Sequence, residues 1–220
     1  MKVTFKYDPA KELAPLKSGM SGQYDSSKTE LALRAIRDNV NSLDGEAVEQ
    51  WIMQVIREDG LDLEADTERI SKAWREVEAE AGLRLKKMFA TDWDPGEVIG
   101  YLTLSQRCPY RFPVYFWVSR SNKYGVRACL HELQHFYTHA LIEPLFQSTG
   151  QGERFGDFKE ALTVLLNQDC LDLMRQEDKG YPQHLRGQLL TKYIAGDSVI
   201  ALANWYLDER DREVTAVKPA

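Results

Sequence analysis

The chain has 220 residues, of which 43% are hydrophobic and 28% charged, and its net charge is −6. This length suffices for one domain with a sizeable core, and the acidic balance disfavours general nucleic-acid binding. No apolar run reaches the ~18 residues of a membrane-crossing helix, and the N-terminus lacks the apolar stretch of a signal peptide. Three cysteines without a CxxC pair favour a reducing compartment. We therefore expect a cytoplasmic protein without nucleic-acid or membrane partners, and its oligomeric state is left open.

The N-terminal part of the chain is predicted to be mainly helical. The alternating sequence KVTFKY predicts a first strand, and the Gly-, Ser- and Pro-rich residues 13–27 predict a loop. Three amphipathic segments then predict helices at 26–43, 45–59 and 66–89, each with a charged face. From this amphipathic pattern alone, we expect these helices only to cover a core.

The character of the chain changes after residue 95. Residues 97–104 and 112–119 are β-branched and aromatic runs joined by the turn-like SQRCPYR, and they predict an antiparallel hairpin. Because a lone hairpin is only marginally stable, we expect the first strand to pair with it. The remaining predicted helices span 123–146, 157–177, 183–196 and 197–211. The first of them should stop or kink near Pro144.

Three of the chain's four histidines lie in the sequence CLHELQHFYTHA at 129–140. Four residues in a helix advance about 400°, so His131 and His135 project from one face, ~6 Å apart along the axis. Two imidazoles so placed can bind one zinc ion, and Glu132 can reach a water on that ion as general base. With 4 histidines in the chain, this HExxH pattern is expected by chance only about 0.006 times. The sequence therefore predicts a Zn²⁺ site on this helix.

Across residues 96–178, the strand pair, the HELQH helix and a later glutamate-bearing helix resemble the gluzincin metallopeptidases, the thermolysin-like zincins. The longer metzincin pattern HExxHxxGxxH is absent, because Tyr137 and Thr138 lead to His139 and not to a glycine. With the predicted elements, the resemblance implies a mostly helical α+β fold with a small antiparallel sheet packed beside an HExxH active-site helix. It also implies a zinc-dependent hydrolase that cleaves peptide bonds.

A catalytic zinc site needs a third protein ligand and an open position for water. In gluzincins that ligand is a glutamate on a following helix, and the resemblance implies Glu160, early in the next predicted helix. Glu153, in a Gly-rich loop, and His139 remain alternatives. Glu143 lies about 18 Å along the helix axis from His131, which is too far to share an ion.

Other side chains are candidates for supporting roles. Many gluzincins follow the glutamate with an aspartate that orients a ligating histidine, but Thr163 and Val164 stand at that turn, so this group must come from elsewhere. His139 continues the histidine stripe and is expected either beside the pocket or as a partly buried histidine. Zincins often stabilise the reacting oxyanion with a C-terminal Tyr or His, for which Tyr181 and His184 are the catalytic candidates. Further candidates of this kind are Tyr193 and Arg186.

We expect one zincin-like domain over residues 1–220, with a helical N-terminal segment at 26–90, a metallopeptidase core at 96–178 and C-terminal helices at 181–210. The expected partner is a peptide or protein substrate, which strand 115–119 would bind as an edge strand through main-chain hydrogen bonds. Two rivals stay open, an inactive zinc-binding regulator that recognises proteins and a zinc hydrolase of a non-peptide amide. The ligand types favour zinc but tolerate iron, cobalt or nickel.

Overall fold

The structure, a computed structural model, describes most of the chain. The described residues are 1–20, 30–42, 44–106, 108–121 and 125–216. They form a mixed α+β fold that is mostly helical and contains a four-stranded mixed sheet, which confirms the predicted class. Among these residues, no helix combines the length and the apolar character that a membrane crossing requires.

The chain divides into two compact units. The first consists of Met1–Glu78 and Gly96–Cys129, and the second of Ala79–Pro95 and Leu130–Ala220. The single zincin-like domain and its three segments, as expected from the sequence, stay a prediction.

The sheet belongs to the first unit. Its strands are β1 (Lys2–Tyr7), β2 (Glu97–Thr103), β3 (Tyr110–Arg111) and β4 (Tyr115–Ser119). Their order is β1-β2-β4-β3, and both β1 and β4 run parallel to β2, whereas β3 is antiparallel to β4. The predicted pairing of the first strand with the later strands is thus confirmed.

The predicted hairpin, and the small antiparallel sheet built on it, are wrong. Alternating hydrophobicity marks a strand but does not give its direction. The connection between β2 and β4 contains β3, and the chain then returns to pair with β2 in the same direction, whereas a hairpin needs only a tight turn. Residues 115–119 also do not form the predicted edge strand, because β3 pairs with Tyr115 and Phe116.

Four helices accompany the sheet in the first unit. They are α1 (Leu13–Met20), α2 (Glu30–Arg37), α3 (Gly45–Glu58) and α4 (Leu63–Arg75). The predicted loop at 13–27 is wrong for residues 13–20, and its remainder at 21–27 lies outside the described residues. Pro15 is tolerated in the first turn of α1, whose N–H groups have no acceptor within the helix. Leu16 then packs into a buried cluster with Ala32 and Ile52, which offsets the cost of ordering a Gly- and Ser-rich segment.

The helix predicted at 66–89 is two helices. Helical structure is interrupted after α4 and resumes as α5 (Glu78–Met88). Glu78 lies at this break. Its Oε1 accepts hydrogen bonds from the indole Nε1 of Trp74 at 2.8 Å and from the backbone N–H of Val3 at 2.6 Å. The break therefore supplies an acceptor to β1, an edge strand of the sheet.

The second unit is helical in its described residues. It contains α5 from Ala79 onward, the part of α6 that begins at Leu130, and all later helices. These are α6 (Val126–Leu141), α7 (Glu143–Ser148), α8 (Phe155–Leu162), α9 (Leu165–Asp169), α10 (Leu171–Met174), α11 (Gln183–Ile194) and α12 (Val199–Ala216). The predicted stop near Pro144 is confirmed, since α6 ends at Leu141 and Pro144 lies in the first turn of α7. The helix predicted at 157–177 is divided into α8, α9 and α10.

Two local features position α6. Gly125, with a φ of +71°, precedes the helix, and a Cβ there would lie 2.8 Å from Cγ2 of Ile70, so only glycine fits. Further along α6, the buried Gln134 donates from Nε2 to the carbonyl of Leu162 at 2.9 Å. This bond joins α6 to the end of α8, the two helices that carry the predicted metal ligands.

Candidate metal centre

The centre is built on the buried face of α6. Leu130, Leu133 and Phe136 are fully buried there and fix the rotation of the helix. His131 and His135 project one turn apart, with their Nε2 atoms 3.0 Å from each other. His135 is buried, and His131 retains 19% of its side-chain exposure. The two imidazoles thus present their Nε2 atoms to one common point.

Glu160 of α8 brings a carboxylate to the same point. Its Oε2 lies 3.6 Å from Nε2 of His131, and its Oε1 lies 3.5 Å from Nε2 of His135. Among the described residues, these three form a group that could hold a metal ion, with one ligand atom from each lying within 4.8 Å of the others.

The three ligands fit a zinc ion in both chemistry and spacing. Two imidazoles and one glutamate are a ligand set of catalytic zinc. Ligand atoms ~2.1 Å from a tetrahedral ion lie ~3.4 Å from each other, and the separations between these ligand atoms are 3.0, 3.5 and 3.6 Å.

Asp178 orients His131. Its Oδ2 lies 2.8 Å from Nδ1 of His131. With Nδ1 donating its hydrogen to this carboxylate, the lone pair of the neutral imidazole is on Nε2, which faces Glu160. A carboxylate on the outer nitrogen of a metal-binding histidine fixes both the tautomer and the ring orientation.

Asp178 is itself held by a dense network. The residue is 2% exposed, and its Oδ1 accepts hydrogen bonds from the hydroxyl of Thr163 at 2.8 Å and from Nη2 of Arg186 at 3.3 Å. Asn167 exchanges two bonds with its backbone, donating to the carbonyl at 2.9 Å and accepting from the N–H at 2.7 Å. The acceptor for His131 is therefore rigidly placed.

Gly180 completes this network. Its backbone N–H donates to Oδ1 of Asp178 at 3.2 Å. A Cβ at this position would clash with Nη1 of Arg186, and it would lie 2.8 Å from Oγ1 of Thr163 and 3.1 Å from the carbonyl of Glu160. The turn can approach α8 this closely only because residue 180 has no side chain.

The ligands are strongly coupled in protonation. Burial lowers the pKa of His131, but hydrogen bonds to Asp178 and Glu160 outweigh it and raise the pKa to about 10. Burial and the charge of His131 lower the pKa of His135 to about 3. Burial raises the pKa of Glu160, yet its bonds to both histidines bring it well below the ordinary value. A proton on His131 thus occupies the place that a cation would take.

Glu132 lies on α6 beside the histidines and is 6% exposed. Its buried Oε2 has no hydrogen-bond partner among the described residues. Burial is the main cause that raises the pKa of this carboxyl, to about 8. A buried carboxylate oxygen without a donor is costly, which is typical of a group kept for chemistry and not for stability.

Lys159 adds a buried positive charge. The residue is 8% exposed, and its Nζ donates to Oε1 of Glu160, the carboxylate oxygen nearest His135. Its charge also lowers the pKa values of Glu132 and His135. The centre therefore contains an ammonium group in direct contact with a proposed metal ligand.

The other candidates lie elsewhere. His139 pairs with Glu143 through a 2.7 Å contact between Nδ1 and Oε2, and its ring packs on Phe155. Glu153 is exposed in a short 3₁₀ turn. Three C-terminal candidates are also outside the ligand group: Tyr181 is 53% exposed, His184 is exposed at the start of α11, and the hydroxyl of Tyr193 donates to Asp169. Arg186 is buried and supports Asp178.

No protein-family model, curated protein or solved structure matches this chain. The relationship to gluzincins therefore stays a prediction from the motif and from the order of the elements.

Sequence reasoning missed two parts of the centre. Asp178 lies in the turn-like sequence EDKGYP, where an acidic residue is common and carries no pattern of its own. The sequence offered one indication of such a residue. No aspartate follows Glu160, so another residue had to orient a histidine. Lys159 was hidden by its charge, since lysine is rarely buried.

Asp178→Asn should weaken zinc binding about 10- to 100-fold, because asparagine keeps the shape but removes the charged acceptor from His131. Competition with a chromophoric chelator would give the zinc Kd. Asp172→Asn is a matched control, since Asp172 is exposed and pairs with Arg84, and its Kd should equal that of the wild type. An unchanged Kd in folded Asp178→Asn would show that Asp178 does not support the site.

Proposed function

We propose that the chain is a zinc-dependent hydrolase that cleaves peptide bonds. The observation that carries this proposal is the convergence of His131, His135 and Glu160 on one point beside a buried Glu132 whose Oε2 has no described partner. The ligand set is typical of catalytic zinc, and the neighbouring glutamate is typical of hydrolytic HExxH sites.

When bound, zinc supplies a Lewis acid that polarises a carbonyl and makes water acidic enough to react near neutral pH. His131 and His135 would hold the ion through Nε2, and Glu160 through its carboxylate. Asp178 would keep the ring of His131 in place and stabilise the tautomer that binds the ion.

Glu132 would act as general base and then as general acid. Oε2 takes a proton from the attacking water and afterwards delivers it to the nitrogen of the leaving amine, so the carboxylate is regenerated. Its pKa, raised by burial to about 8, suits a group that must both accept and return a proton near neutral pH.

We also propose a packing of two helices, a cellular compartment and a substrate class that go with this function. We propose that α6 and α8 pack as in zincins. The three cysteines without a CxxC pair support a reducing compartment, and we propose the cytoplasm. Peptides and proteins are the proposed substrates.

A cleavage assay on a peptide library tests this function. Purified protein should contain about one zinc per chain and cleave a subset of the library, and a chelator should abolish cleavage until zinc is returned. Protein that binds zinc and cleaves neither peptides nor other amides would instead be a regulator. Protein that binds no metal in the folded state would contradict the proposal as a whole.

A further inference from the structure

The charges at the centre can be paired one by one. Asp178 is matched by Arg186, whose Nη2 lies 3.3 Å from Oδ1. Glu160 is matched by Lys159, which donates to its Oε1. Binding of an ion requires both histidines to be neutral. In that state Glu132 is the remaining charged group among those described at this site, with a charge of −1 or zero according to its protonation state.

A dication changes this balance. Two further positive charges leave the centre with an excess of +1 when Glu132 is ionised and of +2 when it is protonated. Lys159 contributes one unit of this excess in either protonation state of Glu132, because its ammonium group lies against a carboxylate that would also hold the ion.

An excess charge in a buried site is costly unless a counter-charge arrives. The lysine is also unfavourable for the metal, because an ammonium on a ligand carboxylate repels a dication bound by that carboxylate. Such a residue is expected where an anion is to be held together with the metal. The open side of the centre is available for it, since His131 and Glu160 both retain 19% of their side-chain exposure.

We propose that Lys159 makes the zinc-loaded centre selective for substrates that carry a carboxylate beside the bond to be cleaved. Lys159 would be a specificity-determining residue that pairs with this carboxylate through a charge-assisted hydrogen bond. The inference rests on the proposed function and adds a substrate class to it.

Propionate and propionamide test the proposal directly, because they have nearly the same shape and differ in charge. Isothermal titration calorimetry of each into the zinc-loaded wild type should show propionate binding at least about tenfold more tightly. Equal affinities would overturn the inference while leaving zinc binding, and hence the proposed function, intact. A wild type that takes up no zinc would overturn both.

Two substitutions assign the selectivity to Lys159. Lys159→Met should lose most of the preference for propionate and bind zinc more tightly than the wild type, because a like charge has been removed. Lys159→Arg keeps the charge and should keep the preference. If Lys159 only positions Glu160, Lys159→Met should bind zinc more weakly than the wild type. That outcome would overturn the inference.

A matched control and a second arm complete the experiment. Lys192→Met removes a lysine of the same unit, whose Nζ lies over the ring of Trp205, and should change neither affinity. Three alanine peptides then distinguish a terminal from a side-chain carboxylate. The first has a free C-terminus, the second an amidated C-terminus, and the third an amidated C-terminus and an added Asp. Fastest cleavage of the uncharged amidated peptide would contradict carboxylate selectivity.

Discussion

Glu160→Ala should lose zinc. The substitution removes the carboxylate that lies 3.5 and 3.6 Å from the two imidazole nitrogens, and two histidines alone leave the ion without its third protein ligand. Because even an outer hydrogen-bond partner contributes 10- to 100-fold to metal affinity, loss of a direct ligand should weaken binding more than about a hundredfold. Zinc stoichiometry after gel filtration, measured by atomic emission, gives the result.

Two other glutamates are matched controls for this experiment. Glu153→Ala and Glu143→Ala should both retain a full complement of zinc, since Glu153 is exposed and Glu143 pairs with His139. Loss of Lys159's partner is a side effect of Glu160→Ala, so circular dichroism should establish that the variant is folded. Full zinc occupancy in Glu160→Ala would move the third ligand to Glu153 or His139 and weaken the resemblance to gluzincins.

Glu132→Gln should bind zinc as the wild type does and lose its turnover. Glutamine has the size of glutamate and fits the same buried place, but it cannot accept the proton of water. General-base catalysis contributes roughly 10²- to 10⁴-fold, so kcat should fall by about a thousandfold. The measurement is kcat on a peptide identified from the library, with the zinc content of each sample determined in parallel.

The control for this second experiment is Glu143→Gln. It makes the same chemical change on a glutamate paired with His139, and should leave both zinc and kcat unchanged. If Glu132→Gln retained wild-type activity, another group would have to accept the proton. If it lost zinc instead, the buried carboxylate would have a role in holding the site together.

The sequence predicted that His131 and His135 lie side by side because helix geometry determines their spacing. Once HELQH is placed on a helix, His131 and His135 must share a face, and the burial of Leu130 and Leu133 follows from the same periodicity. Glu160 followed from the resemblance to gluzincins, which implies a glutamate on a following helix as the third ligand. These inferences depend on residues close in sequence or on one simple packing step.

The parts that the sequence did not predict depend on contacts between distant residues. Asp178 reaches His131 across 47 positions of the chain, and no local pattern encodes such a contact. The parallel pairing of β2 with β4 depends on the path of the connection between them, whereas hydrophobic alternation is the same in either direction. The chemistry of Tyr181 and His184 suits the predicted role, but a sequence does not give exposure, and both side chains are exposed.

The tight approach of Gly180 to Thr163 and Arg186 has a consequence for the evolution of this protein. Any side chain at residue 180 would push the turn away from α8 and with it the carboxylate of Asp178, so mutation there would be selected against along with mutation of the ligands. Homologues with the same centre should therefore share a discontinuous signature: HExxH, then Glu 25 positions after the second histidine, Thr three positions later, and Asp-x-Gly at the positions of residues 178–180. This spacing provides a pattern by which distant relatives could be collected from genomes even where the rest of the sequence has diverged.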